Sequence, residues 1–253
     1  VGLHGVLLDA LMLASTFGLA CLLGTRLFGL DRTTTLLIGA GSSICGAAAV
    51  MATEPVVRGR AEQVAVAVST VVVFGTLGIF LYPALFQLDQ DWGLLPRDPG
   101  TWGVYIGATV HEVAQVVAAG RSIGIEAADT AVIAKMVRVM MLAPFLILLS
   151  AWLARDKAHR RQHSGATKIT IPWFAVGFVL VAGLNSLVSL PPALVSHVND
   201  LDTFLLAMAM AGLGLGTHLS AIRRAGLKPL LLAALLFAWL VLGGGFLTRL
   251  ALA

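Results

Sequence analysis

Charge is what this sequence has least of. Only 12% of its 253 residues are charged, where a soluble globular domain carries about 25%, so a free-standing soluble enzyme or nucleic-acid-binding domain is excluded as a class. Long polar segments are missing too: the longest, residues 154–170 (ARDKAHRRQHSGATKIT), is too short to be a domain. Cysteine is nearly absent, and the two present, Cys21 and Cys45, each sit in an apolar run outside any C-x-x-C spacing, which argues against a disulfide framework or a thiolate metal centre. The first apolar run has no basic segment before it, so no cleavable signal peptide is expected. The chain opens on Val1 rather than Met, which fits numbering that starts inside a longer gene product.

What is there is hydrophobic. Some 58% of the residues are apolar and mean hydropathy is +0.92; the apolar residues fall in runs of roughly 20, the length of a helix across a ~30 Å hydrocarbon core and twice that of a barrel strand. The net charge of +4 sits on residues flanking these runs, as topology signals do, and implies a lipid bilayer rather than nucleic acid as partner. The expected fold class is an all-α integral membrane protein. Spans are expected at about 3–24, 34–53, 64–88, 100–119, 130–153, 172–190, 201–221 and 228–252. With every span crossing once, 11 Lys and Arg fall on one side (Arg26, Arg32, Arg97, 155–168, 223–228) and 6 on the other (Arg58, Arg60, Arg121, Lys135, Arg138, Arg249), making the first side cytoplasmic.

Two of these spans are unusual. Residues 38–55 (IGAGSSICGAAAVMATEP) and 208–220 (MAMAGLGLGTHLS) are rich in glycine and small residues at membrane depth. Lipid tolerates open backbone only where protein buries it or a cavity solvates it, and a pair of Gly-interrupted segments is the best sequence pointer to a transporter site. Glycines that merely allow tight helix packing are the plainer alternative. Residues 1–88 then form a first repeat with its break in 34–53, two N-terminal spans short, and 100–253 a second, five-span repeat of opposite orientation with its break in 201–221. Ten spans are expected in a longer parent.

The stretches SSICGAAAVMATEPVV, FGTLGIFLYP and above all GTWGVYIGATVHEVAQVVAAG (residues 100–120) resemble the bacterial YeiH family, described as sulfate exporters and grouped with the bile acid, arsenite and riboflavin transporters. That resemblance implies a ten-helix inverted repeat with two broken helices crossing at mid-membrane, in the bacterial inner membrane.

Opening a helix exposes N–H groups at the start of its second half, which attract an anion. The candidate binding residues are Ser42, Ser43, Cys45 and Gly46 at the first break and Gly214, Gly216 and Thr217 at the second, with Ser42 or Ser43, and Thr217, as caps. His111, Glu112 and Gln115 share one helical sector halfway along 100–119. Ionisable groups at that depth cost about 2.5–3.5 kcal/mol to insert and mark coupling sites, unless they are a hydrogen-bonded structural cluster. Asn185 is a candidate for interhelical bonding or cation coordination. HEVAQ lacks the second histidine of H-E-x-x-H, so neither a metalloprotease nor a resident metal or other cofactor is expected. Lys135 and Arg138 are read as snorkelling, Glu54 and Arg58 as a surface pair, and Asp9 and His4 carry no assigned role. The expected function is not enzymatic: a carrier of a small anion, sulfate or a sulfur-containing organic anion if the resemblance holds, coupled to protons or sodium. Alternatives are a cation- or proton-coupled carrier of another organic acid, a channel, or a non-transporting membrane subunit. A homo-oligomer is compatible with the sequence.

Overall fold

A computed structural model describes residues 2–93, 95–96, 98–159, 191–216 and 226–252, with scattered helical positions between 177 and 187. The chain is helical: α1 (Gly2–Leu22, running on as a π-turn over Leu23–Leu27), α2 (Arg32–Ser43), α3 (Ala47–Val57), α4 (Ala61–Trp92), α5 (Pro99–Thr109), α6 (Val113–Ile123), α7 (Ile125–Met140), α8 (Leu142–His159), α9 (Pro192–Gly216) and α10 (Leu227–Leu252). Among the described residues four segments are long and apolar enough to cross a membrane: Gly2–Leu27, Ala61–Asp89, Ile125–Arg155 and Leu227–Ala251. Their outward faces expose large apolar side chains such as Leu11, Phe80, Leu148 and Phe246, as a lipid-facing surface does.

The other helices are short. α2 has 12 residues and α3, α5 and α6 have 11 each, which at 1.5 Å per residue is about 16–18 Å, half of a ~30 Å core. They double back. Gly41 lies against Val50 and Gly59 against Leu37, so α3 returns antiparallel to α2. The two feet of this hairpin are tied by Gln63 Nε2 donating to Asp31 Oδ1 at 2.7 Å. α4 then rises beside α2, with Val71 against Gly41.

The upper half of α4 meets the second hairpin. The Tyr82 ring packs tilted against Tyr105 at 5.0 Å and Phe86 edge-on against Trp102 at 5.3 Å, so α5 enters from the far end of α4. Gly103 and Gly107 let α5 lie on Ala127 and Ala131 of α7 with the same chain direction, while Gly120 packs α6 against Ala128 in the opposite one. At these glycines any side chain would strike the α7 backbone or its Cβ atoms. α7 and α8 carry the chain back across, and Trp152 of α8 reaches the foot of α2, 4.5 Å beneath the Arg32 guanidinium. α10 runs antiparallel to α1, with Trp239 Nε1 donating to Ser15 Oγ at 3.2 Å and Gly244 against Met12.

This corrects the expected path at two places. The stretch 34–53 is opened at the expected glycine, but it does not cross; it forms a hairpin that re-enters. The stretch 100–119, expected as one unbroken span, is opened at Val110–Glu112 into a second hairpin entering from the other end. The charge count changes accordingly: among the described residues Arg26, Arg32, Arg58, Arg60, Arg155, Lys157 and Lys228 share one end, seven against Arg121 and Arg249 at the other, with Lys135 and Arg138 buried between. In the expected second break, α9 is unbroken from Pro192 to Gly216, and residues 217–221 lie outside the described residues.

Candidate functional site

The two hairpin tips meet inside the protein. At the first, α2 ends at Ile44 and the chain turns through Gly46, whose φ of +69° is in the left-handed region that glycine adopts without penalty. Gly46 is needed for a second reason: a Cβ there would overlap the side chain of Glu112, which comes from the opposite tip. Glu112 Oε1 accepts the Ala47 N–H at 3.0 Å. A carboxylate therefore sits on the positive end of α3, where orphan N–H groups and the helix dipole favour negative charge. Glu112 is at the same time the N-cap residue of α6, with its own N–H donated to Gln115 Oε1 at 3.1 Å. Two helix N-termini, one from each hairpin, thus converge on a single acidic side chain.

The carbonyl ends of the same hairpins face two cations. Lys135, fully buried on α7, donates its ammonium to Ile44 O at 2.9 Å and to Val110 O, bridging the two tips. Arg138, one turn on, donates Nε to Ser43 O at 2.7 Å. The opened ends of α2 and α5 leave carbonyls that water would satisfy at a surface; here α7 satisfies them with positive charge, the sign that a helix C-terminus favours. The expectation that Lys135 and Arg138 snorkel is corrected: both are 0% exposed.

Some capacity remains unspent. Among the described residues Arg138 Nη1 and Nη2 have no hydrogen-bond partner, and both carboxyl oxygens of Asp9, 1% exposed on α1, have none either. Asp9 lies within electrostatic reach of Arg138 and Lys135. His111 Nδ1 and Gln115 Nε2 are likewise buried with no partner among the described residues. Buried polar groups in folded proteins are almost always satisfied, so the charged pair among them, Arg138 and Asp9, makes this region the candidate site.

Of the residues picked out in the sequence, Cys45, Gly46, His111, Glu112 and Gln115 lie at the tips, together with the backbone of Ser43. The roles differ from those expected. The acceptor on α3 is Glu112, not Ser42 or Ser43; the Ser43 hydroxyl donates back to Ala40 O at 3.4 Å, and Ser42 is buried in the last turn of α2. The His111 ring lies 6.2 Å from that of Phe237, turned toward α10. Gln115 packs on Gly75 of α4, where no Cβ would fit. Gly214 and Gly216 fall within α9, and Asn185 and Thr217 lie outside the described residues. Sequence reasoning misses Asp9, Lys135 and Arg138, although an acidic and two basic residues inside apolar runs are themselves the signal.

Two cavities flank this centre. A cleft of about 490 Å³ opens at the arginine-rich end between α1, α2 and α8, lined by Cys21, Thr25, Arg26, Arg32, Thr35 and Trp152. One of about 280 Å³ at the other end is mostly apolar, lined by Leu85, Trp102, Tyr105, Val241 and Phe246 with Asp89 and Arg249 at its rim.

Fold and centre together define the class: a polytopic, all-helical membrane protein in which two half-membrane hairpins close on buried charge. A family model described as "Conserved hypothetical protein 698" matches residues 1–233. A UPF0324 membrane protein of Yersinia pestis is 61% identical over 248 residues, covering 96% of this chain and 68% of the relative. The UPF0324 inner membrane protein YeiH of Escherichia coli K12 is 61% identical over 246 residues (97% and 68%), and that of Salmonella typhimurium 59% over 250 (97% and 68%). The chain belongs to the UPF0324 family, that of YeiH, and is an inner-membrane protein; it spans about two thirds of the length of these relatives. No solved structure matches it.

Proposed function

We propose that this protein is a secondary carrier of a small anion, working by alternating access. The observation that carries the reading is the meeting of two re-entrant hairpins, from opposite ends, at a buried centre built from helix termini, Glu112, Lys135 and Arg138. Irregular backbone at mid-membrane is a costly feature, and carriers use it to place helix ends around cargo. In this reading the two hairpins, entering from opposite ends, are the paired elements that expose one site to each side in turn.

Electrostatics favour an anion over a cation as cargo. Two buried cations lie at the centre against Asp9 and Glu112, Glu112 is engaged by α3, and the cleft at the arginine-rich end adds positive charge on one approach. By the excess of Lys and Arg the cleft is the cytoplasmic approach. Sulfate and sulfur-containing organic anions are the first cargo to try, because the YeiH family that the sequence resembles is described as sulfate exporters. Saturable counterflow of radiolabelled sulfate into proteoliposomes loaded with unlabelled sulfate is the expected result. A linear, non-saturable flux would make the protein a pore. Absence of counterflow for sulfate and for a panel of organic sulfonates and carboxylates would overturn the carrier reading.

A further inference from the structure

Resting on the anion-carrier reading, we infer that the cargo site is the free face of the Arg138 guanidinium, and that Asp9 is the group that takes up the coupled proton. Arg138 spends only Nε on structure, in its bond to Ser43 O; its two terminal nitrogens form a two-pronged donor that no described residue fills. That fork matches the geometry of an oxyanion, which two parallel N–H bonds hold in plane. Lys135 adds positive charge nearby without competing, because its own hydrogen bonds go to Ile44 O and Val110 O.

Asp9 is the buried counter-charge of this guanidinium. Its charged neighbours are Arg138 and Lys135, both from α7. Among the described residues the other elements packed against α1 are silent near it: α5 has no charged residue, α2 has only Arg32 at its far foot, α8 is uncharged up to Arg155 at its far end, and α10 has Lys228 at the far end and Arg249, exposed, at the near one. On α1 itself His4 is exposed and Arg26 lies at the opposite end. In a low-dielectric interior an entering anion and an ionised Asp9 would compete for the same guanidinium and repel one another. The exchange balances when Asp9 gains one proton, from water on the loading side, as the anion docks on Arg138, and releases it as the anion leaves. One proton then travels with each anion. Sodium is disfavoured as the coupling ion, since a bare cation at Asp9 would face two positive side chains, whereas a proton neutralises the carboxylate and adds no separate charge.

The test is calorimetric titration of the purified full chain with sulfate, thiosulfate, methanesulfonate and acetate, each in buffers of different ionisation enthalpy, which reads protons taken up per anion bound. The wild type is expected to take up close to one proton per anion for those that bind. Asp9→Asn, a near-isosteric change, should still bind but take up none; Arg138→Gln should bind roughly 10–100-fold more weakly, the loss expected for a charged hydrogen-bond donor. Arg138→Lys, which keeps the charge without the fork, should fall between them and guards against Arg138→Gln failing to fold. Undiminished binding by the Arg138 variants, or unchanged proton uptake in Asp9→Asn, would overturn the assignment while leaving the carrier intact. No binding of any of these anions by folded wild-type protein would remove the anion-carrier reading itself.

Discussion

Glu112 reaches across from one hairpin to cap the other, and its removal separates two contributions to the stability of the centre. In Glu112→Gln an oxygen acceptor remains for the Ala47 N–H, now at 3.0 Å from Glu112 Oε1, but the negative charge on the end of α3 is lost. A charge at a partly buried helix N-terminus contributes up to about 2 kcal/mol, so a cost of ~1 kcal/mol is expected. In Glu112→Ala the acceptor goes as well. The Ala47 N–H is left buried and unpaired beside Gly46, adding about 1–3 kcal/mol, for a total of roughly 2–4 kcal/mol. For a chain of this size about 1 kcal/mol shifts the midpoint by roughly 2–4 °C. Thermal unfolding in detergent should therefore place Glu112→Gln a few degrees below wild type and Glu112→Ala at least about twice as far below. Equal midpoints for Glu112→Ala and wild type would refute the cap. Equal losses in the two variants would show that charge alone, and not the hydrogen bond, holds the tip.

Other outcomes follow from the same geometry. Gly46→Ala should destabilise by about 1–2 kcal/mol or more, from its left-handed backbone together with the overlap with Glu112, whereas Gly212→Ala in α9, which has open space around it, should be neutral or slightly stabilising; chemical denaturation of both distinguishes the two glycine clusters. Lys135→Met leaves two buried carbonyls without their donor, at about 1–3 kcal/mol each, and should lower folded yield more than Lys228→Met at the exposed start of α10, as fluorescence-detected size exclusion would report. In a Cys21→Ser, Cys45→Ser background, Arg26→Cys and Arg60→Cys should label from the same, cytoplasmic face and Arg121→Cys from the other; opposite accessibility of positions 26 and 60 would mean that 34–53 crosses the membrane after all.

The membrane class could be read from hydropathy alone, and so could the first break, because glycine at 39, 41 and 46 within an apolar run marks backbone that opens or is closely approached. The second break was hidden. Residues 108–114 (ATVHEVA) contain no glycine or proline, and the helix is opened by what awaits it: the N-terminus of α3 for Glu112, and Lys135 for the Val110 carbonyl. Glu112 with Gln115 three residues later is the local N-terminus signature that was available, since such a pair caps a helix start. Two arms of 11 and 12 residues also add up to the length of one full span, so hydropathy could not tell a crossing from a return. Charge could have: grouping Arg58 and Arg60 with Arg26 and Arg32 sharpens the asymmetry that a single crossing blurs. Lys135, Arg138 and Asp9 resist assignment because what they face is backbone carbonyls and one another, brought together only by the folding of four separate helices, α1, α2, α5 and α7.

The ammonium of Lys135 holds both tips at once, and this makes it a shared latch. On the proposed carrier reading, a hairpin that swings away to admit cargo would leave the lysine bonded to the other, now held by a donor no longer divided between two acceptors. Opening both together would strip the ammonium of every carbonyl it has in a place where nothing else is offered, a state with a higher cost than either single opening. On the carrier reading proposed above, one side chain serving two doors would guard a membrane that stores energy as an ion gradient against a continuous leak.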